Sequence, residues 1–153
     1  MPVNPGISGR CYSPSRPYDV GREAIRAFAE AVWAGDQAHC SLEAARALGY
    51  PDLVAPPTYV ISVTQRVEYA TVVSDPEAGI DFSRVLHADQ RFSHVRPIVA
   101  GDSLTVAVSV DSVRRLGSND MVSIRSIVKD ADGADVAVVT STMLVRGEEE
   151  VAA

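Results

Sequence analysis

The segment "APPTYVISVTQRVEYATVV", residues 55–73, constrains the fold more than any other part of the chain. Its β-branched residues favour a strand, but the apolar run from Tyr59 to Val73 is long for a single strand. Pro56 and Pro57 suit the first turn of a helix, because a missing backbone N–H costs nothing there. We therefore predict a largely buried helix over residues 56–73, which only a curved sheet would cover on most sides. The apolar positions on one side of that helix are Tyr59, Val60, Val63, Val67, Ala70 and Val73.

The second half of the chain predicts that sheet. Four segments alternate apolar and polar residues with the period of a strand, and turn-forming residues separate them. Helices followed by a run of antiparallel strands indicate an α+β fold. The four segments are "RVLHADQRFSHV", "SLTVAVSVDSVRRL", "DMVSIRSIVKDA" and "DVAVVTSTMLVRG".

Two shorter helices are predicted before the central one. The stretch "GREAIRAFAEAVWAGD" has apolar residues at helical spacing and ends at Gly35. In "SLEAARALGY", Ser41 is a candidate N-cap and Gly49 occupies the C-terminal glycine position. Prolines and glycines predict an irregular arm over residues 1–16, and residues 147–153 predict a solvated acidic tail. Residues 1–153 therefore form a single predicted domain.

Composition narrows the classes of function. A net charge of −6 argues against a nucleic-acid surface, and no apolar run is long enough to cross a membrane. The N-terminal residues show no apolar core of a signal peptide, so we expect a cytoplasmic protein. The 2 cysteines form neither a disulfide framework nor a metal-ligand spacing, and no metal or redox cofactor is expected.

Three stretches resemble a known family. "PYDVGREAIRAFAEAV", "EAARALGYPDLVAPPTYV" and "HADQRFSHVRPIVAGDSL" are similar to the MaoC-type dehydratase N-terminal family. In particular they resemble the A- and C-type subunits of actinobacterial (3R)-hydroxyacyl-acyl-carrier-protein dehydratases, from about Gly9 to Arg146. The resemblance implies a hot-dog fold, in which an antiparallel sheet wraps around a long central helix.

The resemblance also implies a thioester site. Hydratases of this fold use an aspartate and a histidine, in a loop of the form D-x-N-P-x-H, to add water to an enoyl thioester or remove it. Asp36 and His39 are the candidate pair here, because one group must accept a proton while the other donates one. The backbone amides of Thr58 and Tyr59 are the candidate donors to the thioester oxygen. The side chains of Val63 and Tyr69 are candidate contacts for the acyl chain.

The loop departs from the family pattern, and three interpretations follow. The aspartate position falls on Ala34, Asp36 lies two residues later, and the Asn-Pro pair is missing. Asp36 and His39 form a working pair, or Asp36 only caps the loop while His39 is solvated, or the loop lines a channel beside a partner's catalytic pair.

The function predicted on this basis is a subunit of an (R)-specific enoyl-thioester hydratase or 3-hydroxyacyl-thioester dehydratase. Its ligand would be an acyl-carrier-protein or coenzyme A thioester, bound by a homodimer or by a heterodimer with a catalytic hot-dog subunit. The alternative is a non-catalytic acyl-thioester-binding or scaffolding dimer. Thioesterase action is less favoured, because it would need a carboxylate placed on the central helix and Glu68 lies late along it. Among the strand residues, His87 and His94 have opposite parity, so one of the two is expected to face inward. Asp89 and Gln90 either line a pocket or lie on the solvated face, and the solvated face is the favoured interpretation.

Overall fold

The structure, a computed structural model, describes residues 1–148 and contains one curled antiparallel sheet packed around a short central helix. We number the helices and strands in chain order. The helices are α1 (Arg22–Ala31), α2 (Leu42–Ala47) and α3 (Ile61–Glu68), and the strands are β1 (Tyr18–Asp19), β2 (Val85–His94), β3 (Ser103–Leu116), β4 (Asn119–Lys129) and β5 (Asp135–Val145).

The sheet has the strand order β1-β3-β4-β5-β2, with every pair antiparallel. The three long central strands alternate buried and half-buried residues, because their inner faces pack on α3 and their outer faces meet solvent. The predicted strand segments therefore fold as expected, and the hot-dog arrangement implied by the resemblance is confirmed. Inner-face residues such as Leu104, Val106, Ile124 and Val139 are fully buried.

The central helix begins later than predicted. Regular α-helix starts at Ile61, and Pro56 lies in tight turns before it, where its carbonyl accepts from the Tyr59 N–H at 2.9 Å. A residue that precedes a proline disfavours helical backbone, so Pro56 before Pro57 keeps the chain out of the helix. The prediction of a helix starting at residue 56 is therefore wrong by about one turn.

The far end of the central helix is a π-helical turn, Tyr69–Val73, which continues α3. The hydroxyl of Thr71 donates to the Val67 carbonyl at 2.6 Å, so that carbonyl is occupied by a side chain. The amide of Ser74 then reaches back five residues to the Tyr69 carbonyl at 3.0 Å. The helical segment thus extends to Val73, as predicted, with a wider last turn.

The N-terminal arm is irregular but packed. Ile7 is completely buried, and the amides of Gly9, Tyr12 and Ser15 donate to carbonyls of β3 at 2.8–2.9 Å. The arm therefore covers the edge of the sheet formed by β3. The predicted acidic tail lies for the most part outside the described residues.

The opposite edge of the sheet is β2, and it is open. Leu86 on this strand is 47% exposed, and Tyr69 at the end of the central helix is 49% exposed. The central helix is therefore covered by the sheet on one side and open beside β2, which is less cover than the sequence predicted. An open edge of this kind is a surface for strand pairing with another chain.

The loop before α2, α2 itself and the segment after it form a small second core of Ala38, Ala45 and Val54, whereas Ile25 of α1 packs in the main core. Ser41 caps α2 as predicted, since its hydroxyl accepts from the Ala44 N–H at 3.2 Å. Gly49 follows the helix with a φ of +90°, a conformation that favours glycine. Among the described residues, no helix is long and apolar enough to cross a membrane.

Candidate functional site

A β-bulge gives the inner face of β2 an unusual set of polar residues. The register of β2 against β5 shifts between His87 and Asp89, so the alternation changes phase at this point. His87 pairs with Met143 and His94 pairs with Ala137, and both partners lie on the inner face of β5. Both histidines therefore face α3, although their sequence positions have opposite parity. We call the strip between the inner face of β2 and the central helix the β2–α3 seam.

One end of the β2–α3 seam lies at the turns before α3. The Nε2 of His94 is 2.7 Å from the Pro57 carbonyl oxygen, so Nε2 carries the proton and donates it. The ring of His94 stacks on Phe92, with centroids 6.5 Å apart. This histidine therefore fixes β2 to the place where the thioester site was predicted.

The middle of the seam contains a buried carboxyl group. Glu68 is only 5% exposed, and its Oε1 accepts from the hydroxyls of Ser126 at 2.9 Å and Ser141 at 3.1 Å. The hydroxyl of Ser141 also lies 3.0 Å from the Gln90 side-chain oxygen. We call these four residues the Glu68 cluster. Gln90 is thus part of the interior network, and its interpretation as a solvated residue is wrong.

Burial raises the pKa of Glu68 above its ordinary value, because the carboxylate is removed from water. The two serine hydroxyls and the nearby His87 oppose this effect, since each of them favours the charged form. No arginine or lysine forms an ion pair with Glu68 among residues 1–148. The cluster therefore presents a carboxyl group with an increased tendency to be neutral.

The other end of the seam is an apolar cavity of about 590 Å³, within the usual range for small-molecule sites. Its walls come from the last turns of the central helix, the start of β2 and the middle of β5. Tyr69 and Phe82 form an edge-to-face pair with ring centroids 5.1 Å apart at this wall. Glu68, Ser141 and His87 also line it, so the Glu68 cluster borders the cavity. The remaining lining residues are Gln65, Arg66, Val73, Val85 and Met143.

Asp36 and His39 lie on the loop between α1 and α2 and bind different partners. The carboxylate of Asp36 caps a single turn of 3₁₀ helix, Gln37–His39, by accepting from the Ala38 N–H at 2.9 Å. The Nδ1 of His39 lies 2.6 Å from the Val54 carbonyl oxygen, so Nδ1 donates and Nε2 remains an acceptor. Within residues 1–148, no hydrogen bond joins the two side chains.

The predicted substrate contacts are distributed along the central helix. Thr58 is exposed, and the amide of Tyr59 already donates to Pro56. The Tyr59 side chain is buried against Phe28 and its hydroxyl lies 3.1 Å from that of Tyr18. Burial and that hydrogen bond raise the pKa of Tyr59, so it stays neutral. Val63 is buried in the core, and Tyr69 lines the cavity.

A larger cleft, of about 1150 Å³, lies beside the first residues of the arm and the ends of β4 and β5. Two of its arginines are in ion pairs, because Arg84 pairs with Asp81 and Arg115 pairs with Asp120, both at 3.2 Å. Among the described residues, no group of three or more metal-binding side chains comes together. We therefore place the candidate site at the β2–α3 seam.

Sequence reasoning missed the Glu68 cluster, although the chain carries signals for it. Ser126 and Ser141 occupy inner-face positions where their neighbours along the strand are valine, isoleucine or methionine. A lone serine at such a position indicates a polar partner inside the core. The bulge that turns His87 inward leaves no comparable signal in the sequence.

Comparisons with known proteins agree with this architecture. A family model described as "FAS1-like, dehydratase domain region" matches residues 7–139. The chain is 51% identical to a UPF0336 protein of Leifsonia xyli subsp. xyli over 149 residues, which covers 97% of this chain and 99% of that protein. It is 44% identical to a UPF0336 protein of Streptomyces coelicolor over 150 residues, with 98% and 99% covered.

Solved structures show the same fold. A chain of the C-terminally truncated HadBC (3R-hydroxyacyl-ACP dehydratase) complex from Mycobacterium tuberculosis has a TM-score of 0.82 and 33% identity, with 90% of this chain and 96% of that chain covered. A MaoC-like dehydratase also has a TM-score of 0.82, with 29% identity over 95% of this chain and 44% of that one. The chain therefore belongs to the FAS1-like dehydratase-region family and to the UPF0336 proteins, and it has the hot-dog fold of the MaoC-like dehydratases.

Proposed function

We propose that this chain is a subunit of an (R)-specific enoyl-thioester hydratase or 3-hydroxyacyl-thioester dehydratase, and that it contributes the acyl-binding channel. The observation that carries the proposal is the apolar cavity at the far end of the β2–α3 seam. The family model and the HadBC structure support the reaction class.

The seam has the length and chemistry that an acyl chain requires. Tyr69 lies eight positions beyond Ile61, where the regular helix begins, which corresponds to about 12 Å at the helical rise of 1.5 Å per residue, and the turns that contain Thr58 precede this helix. A thioester group at Thr58 would therefore direct its acyl chain along the helix towards Tyr69 and Phe82. Burial of each CH₂ group contributes about 0.8 kcal/mol, so the apolar cavity would favour long chains. Val63 forms part of the packed helix beneath this path.

The reaction requires an acid and a base near the thioester end. Hydration places a hydroxyl group on C3 and a proton on C2 of the enoyl chain, and dehydration removes both. The free Nε2 of His39 is a proton acceptor, and the donated Nδ1–H fixes that tautomer. Asp36 is committed to its cap, so we propose that His39 has a supporting role and that a partner subunit brings the complete pair. The backbone amide of Thr58 remains the proposed donor to the thioester oxygen, because Thr58 is an exposed residue and the amide of Tyr59 already donates to Pro56.

The partner would bind at the open edge formed by β2. Leu86, Tyr69 and Phe82 are all about half exposed there, and a second hot-dog subunit on this edge would cover them and close the seam into a channel. The similar HadBC structure is a complex, which favours a heterodimer with a catalytic hot-dog subunit over a homodimer. The proposed ligands are acyl-carrier-protein or coenzyme A thioesters, in the cytoplasm.

A second function has a specific observation in its favour. Because Asp36 and His39 are engaged with Ala38 and Val54 instead of each other, the chain alone has no assembled acid–base pair in this loop. A non-catalytic dimer that binds or holds acyl thioesters would have the same geometry.

Enzyme assays with the chain alone and with a co-expressed hot-dog subunit that carries the complete D-x-N-P-x-H loop separate these functions. The measurement is the loss of enoyl-thioester absorbance with crotonyl and with long-chain enoyl coenzyme A. We expect no turnover alone and turnover by the pair. Tyr69→Ala should raise KM about fourfold or more for the long chain and leave the crotonyl reaction unchanged, because it removes apolar contact at the distal end.

Leu48→Ala is the matched control, since Leu48 is an exposed apolar residue on the loop after α2. It should change neither KM. Binding of acyl thioesters without turnover in any combination would support the non-catalytic alternative. An absence of both binding and turnover would overturn the proposed function.

A further inference from the structure

The middle of the β2–α3 seam contains hydrogen-bonding groups that lack partners. The side-chain nitrogen of Gln90 is shielded from solvent and has no hydrogen-bond partner among residues 1–148. The hydroxyl of Thr64, one helical turn before Glu68 on α3, is buried and unpartnered in the same way. Unpartnered buried polar groups are uncommon in proteins, because each of them lowers stability. Gln90 is bonded to Ser141, and Ser141 and Glu68 line the cavity, so a ligand in the cavity would enter the same hydrogen-bond network.

The number of hydrogen-bonding protons in the Glu68 cluster explains why one polar group of the cluster has no hydrogen-bond partner. Ser141 has one hydroxyl proton, and its oxygen lies within hydrogen-bond distance of both Glu68 and Gln90. It therefore donates to one of them and accepts from the other. If Glu68 is the donor, the Gln90 nitrogen stays unpartnered. If the Gln90 amide is turned so that its nitrogen donates, its oxygen stays unpartnered instead.

The cluster is suited to a neutral ligand group that both donates and accepts. Glu68 has no ion-pair partner within residues 1–148, and a carboxylate ligand beside it would add a second negative charge to an apolar cavity. A hydrocarbon chain would leave the Gln90 amide unpartnered. A hydroxyl group can both accept and donate a hydrogen bond, so it can bind the Gln90 amide whether its nitrogen or its oxygen is the unpartnered atom.

The position of the cluster shows which part of a ligand it would meet. Regular helix begins at Ile61, so Glu68 lies seven residues, or about 10 Å at 1.5 Å per residue, beyond the turns that contain Thr58. This distance is too large for the hydroxyl at C3 of a 3-hydroxyacyl thioester. The hydroxyl at the cluster would belong to the distal part of the acyl chain.

We propose that the β2–α3 seam selects acyl chains that carry a hydroxyl group far from the thioester, and that Glu68, Ser141 and Gln90 hold this hydroxyl. The inference rests on the proposed function, because it takes the seam as the acyl channel. It adds a substrate class to that function, since the cluster discriminates between hydroxylated and plain chains.

Calorimetric binding of two thioesters tests the inference. The probes are stearoyl coenzyme A and a mid-chain hydroxystearoyl coenzyme A, titrated into the full chain in the presence and absence of its hot-dog partner. We expect the hydroxylated chain to bind about threefold to tenfold more tightly, which is the effect of one neutral hydrogen bond.

A triple variant, Glu68→Met with Ser126→Ala and Ser141→Ala, assigns the preference to the cluster. It replaces all bonded partners of the carboxyl by apolar groups, so the core should remain folded, and circular dichroism checks this. We expect the triple variant to bind the plain chain more tightly than the hydroxylated one. Glu30→Gln on the exposed side of α1 is the control and should keep the wild-type preference.

Three outcomes would overturn the inference. Equal affinity of the wild-type protein for both chains would mean that water completes the cluster, and the proposed function would stand. A hydroxyl preference that survives in the triple variant would exclude this cluster as its cause. Binding of neither chain would overturn the inference together with the proposed function.

Discussion

Removal of the two serine hydroxyls that bind Glu68 is the perturbation with the clearest expected consequence. Glu68 is 5% exposed, and the hydroxyls of Ser126 and Ser141 are its hydrogen-bond donors within residues 1–148. Either Ser126→Ala or Ser141→Ala leaves one donor in place. The double variant leaves a buried carboxyl group without any.

The two hydrogen bonds to Glu68 determine how much unfolding free energy the double variant should lose. A hydrogen bond to a neutral group contributes about 1 kcal/mol and one to a charged group about 1.5–3 kcal/mol. We expect the double variant to lose about 2 kcal/mol of unfolding free energy when Glu68 is neutral and about 3–6 kcal/mol when it is charged. The loss should exceed the sum of the two single losses by about 0.5 kcal/mol or more, because the serines share one acceptor.

The assay is urea unfolding of the wild type and the three variants at pH 5 and pH 9. Burial raises the pKa of Glu68 above 4.5, so its contribution to stability is fully present below that ordinary value and is lost as pH rises through the raised value. The serine hydroxyls lower the pKa of Glu68, and their removal raises it further. The destabilisation of the double variant should therefore be larger at pH 9 than at pH 5.

Ser123→Ala is the matched control, because Ser123 lies on the same strand as Ser126 but outside the inner-face set of residues. It should change stability by less than about 0.5 kcal/mol at either pH. The reasoning would be refuted if the double variant lost the same unfolding free energy at both pH values, or no more than the control loses. Either result would mean that the serine hydroxyls do not stabilise the protein through the Glu68 carboxyl group.

Three further predictions concern other parts of the chain. Asp36→Ala should lower the free energy of unfolding by about 1 kcal/mol, because the cap is lost. Asp36→Asn should retain both the cap and the activity of the assembled enzyme, and a loss of activity in this variant would show that Asp36 is catalytic. The hydrogen bond from Arg22 lowers the pKa of Asp52 from its ordinary value of 3.8 to about 2. The pair therefore stabilises the fold at pH values above 3.8, and this contribution is lost as the pH falls through about 2. In Arg22→Met, the pKa of Asp52 measured by NMR titration should return towards 3.8. Gly49→Ala should lower the unfolding free energy by about 1 kcal/mol, because φ at this position is +90° and alanine is strained there. An unchanged melting temperature would show that alanine is not strained at this position.

The strands, the short helices and the α+β class could be predicted from the sequence because they depend on local patterns. Alternation sets β3, β4 and β5, and the caps at Ser41 and Gly49 bound α2. The predicted start of the central helix is too early, because Pro57 disfavours helical backbone at Pro56 although a proline itself suits a first helical turn.

The candidate site was less predictable, because it depends on contacts between distant segments. Parity along β2 predicts that His87 and His94 point apart, but the bulge between His87 and Asp89 places both towards α3. From the sequence, Glu68 is considered only as a thioesterase carboxylate, for which it lies late on the helix, whereas in the fold Ser126 and Ser141 from two strands bind it. Nothing in the local sequence around Glu68 encodes the approach of those strands.

The arm has a consequence for aggregation. Its backbone bonds along β3 occupy one margin of the sheet, so β2 is the margin that remains available within the described residues. A protomer with two free margins could add further copies without limit and grow into a fibre. With a single free margin, strand addition would end once one neighbour has bound, so growth beyond a pair would stop at this edge.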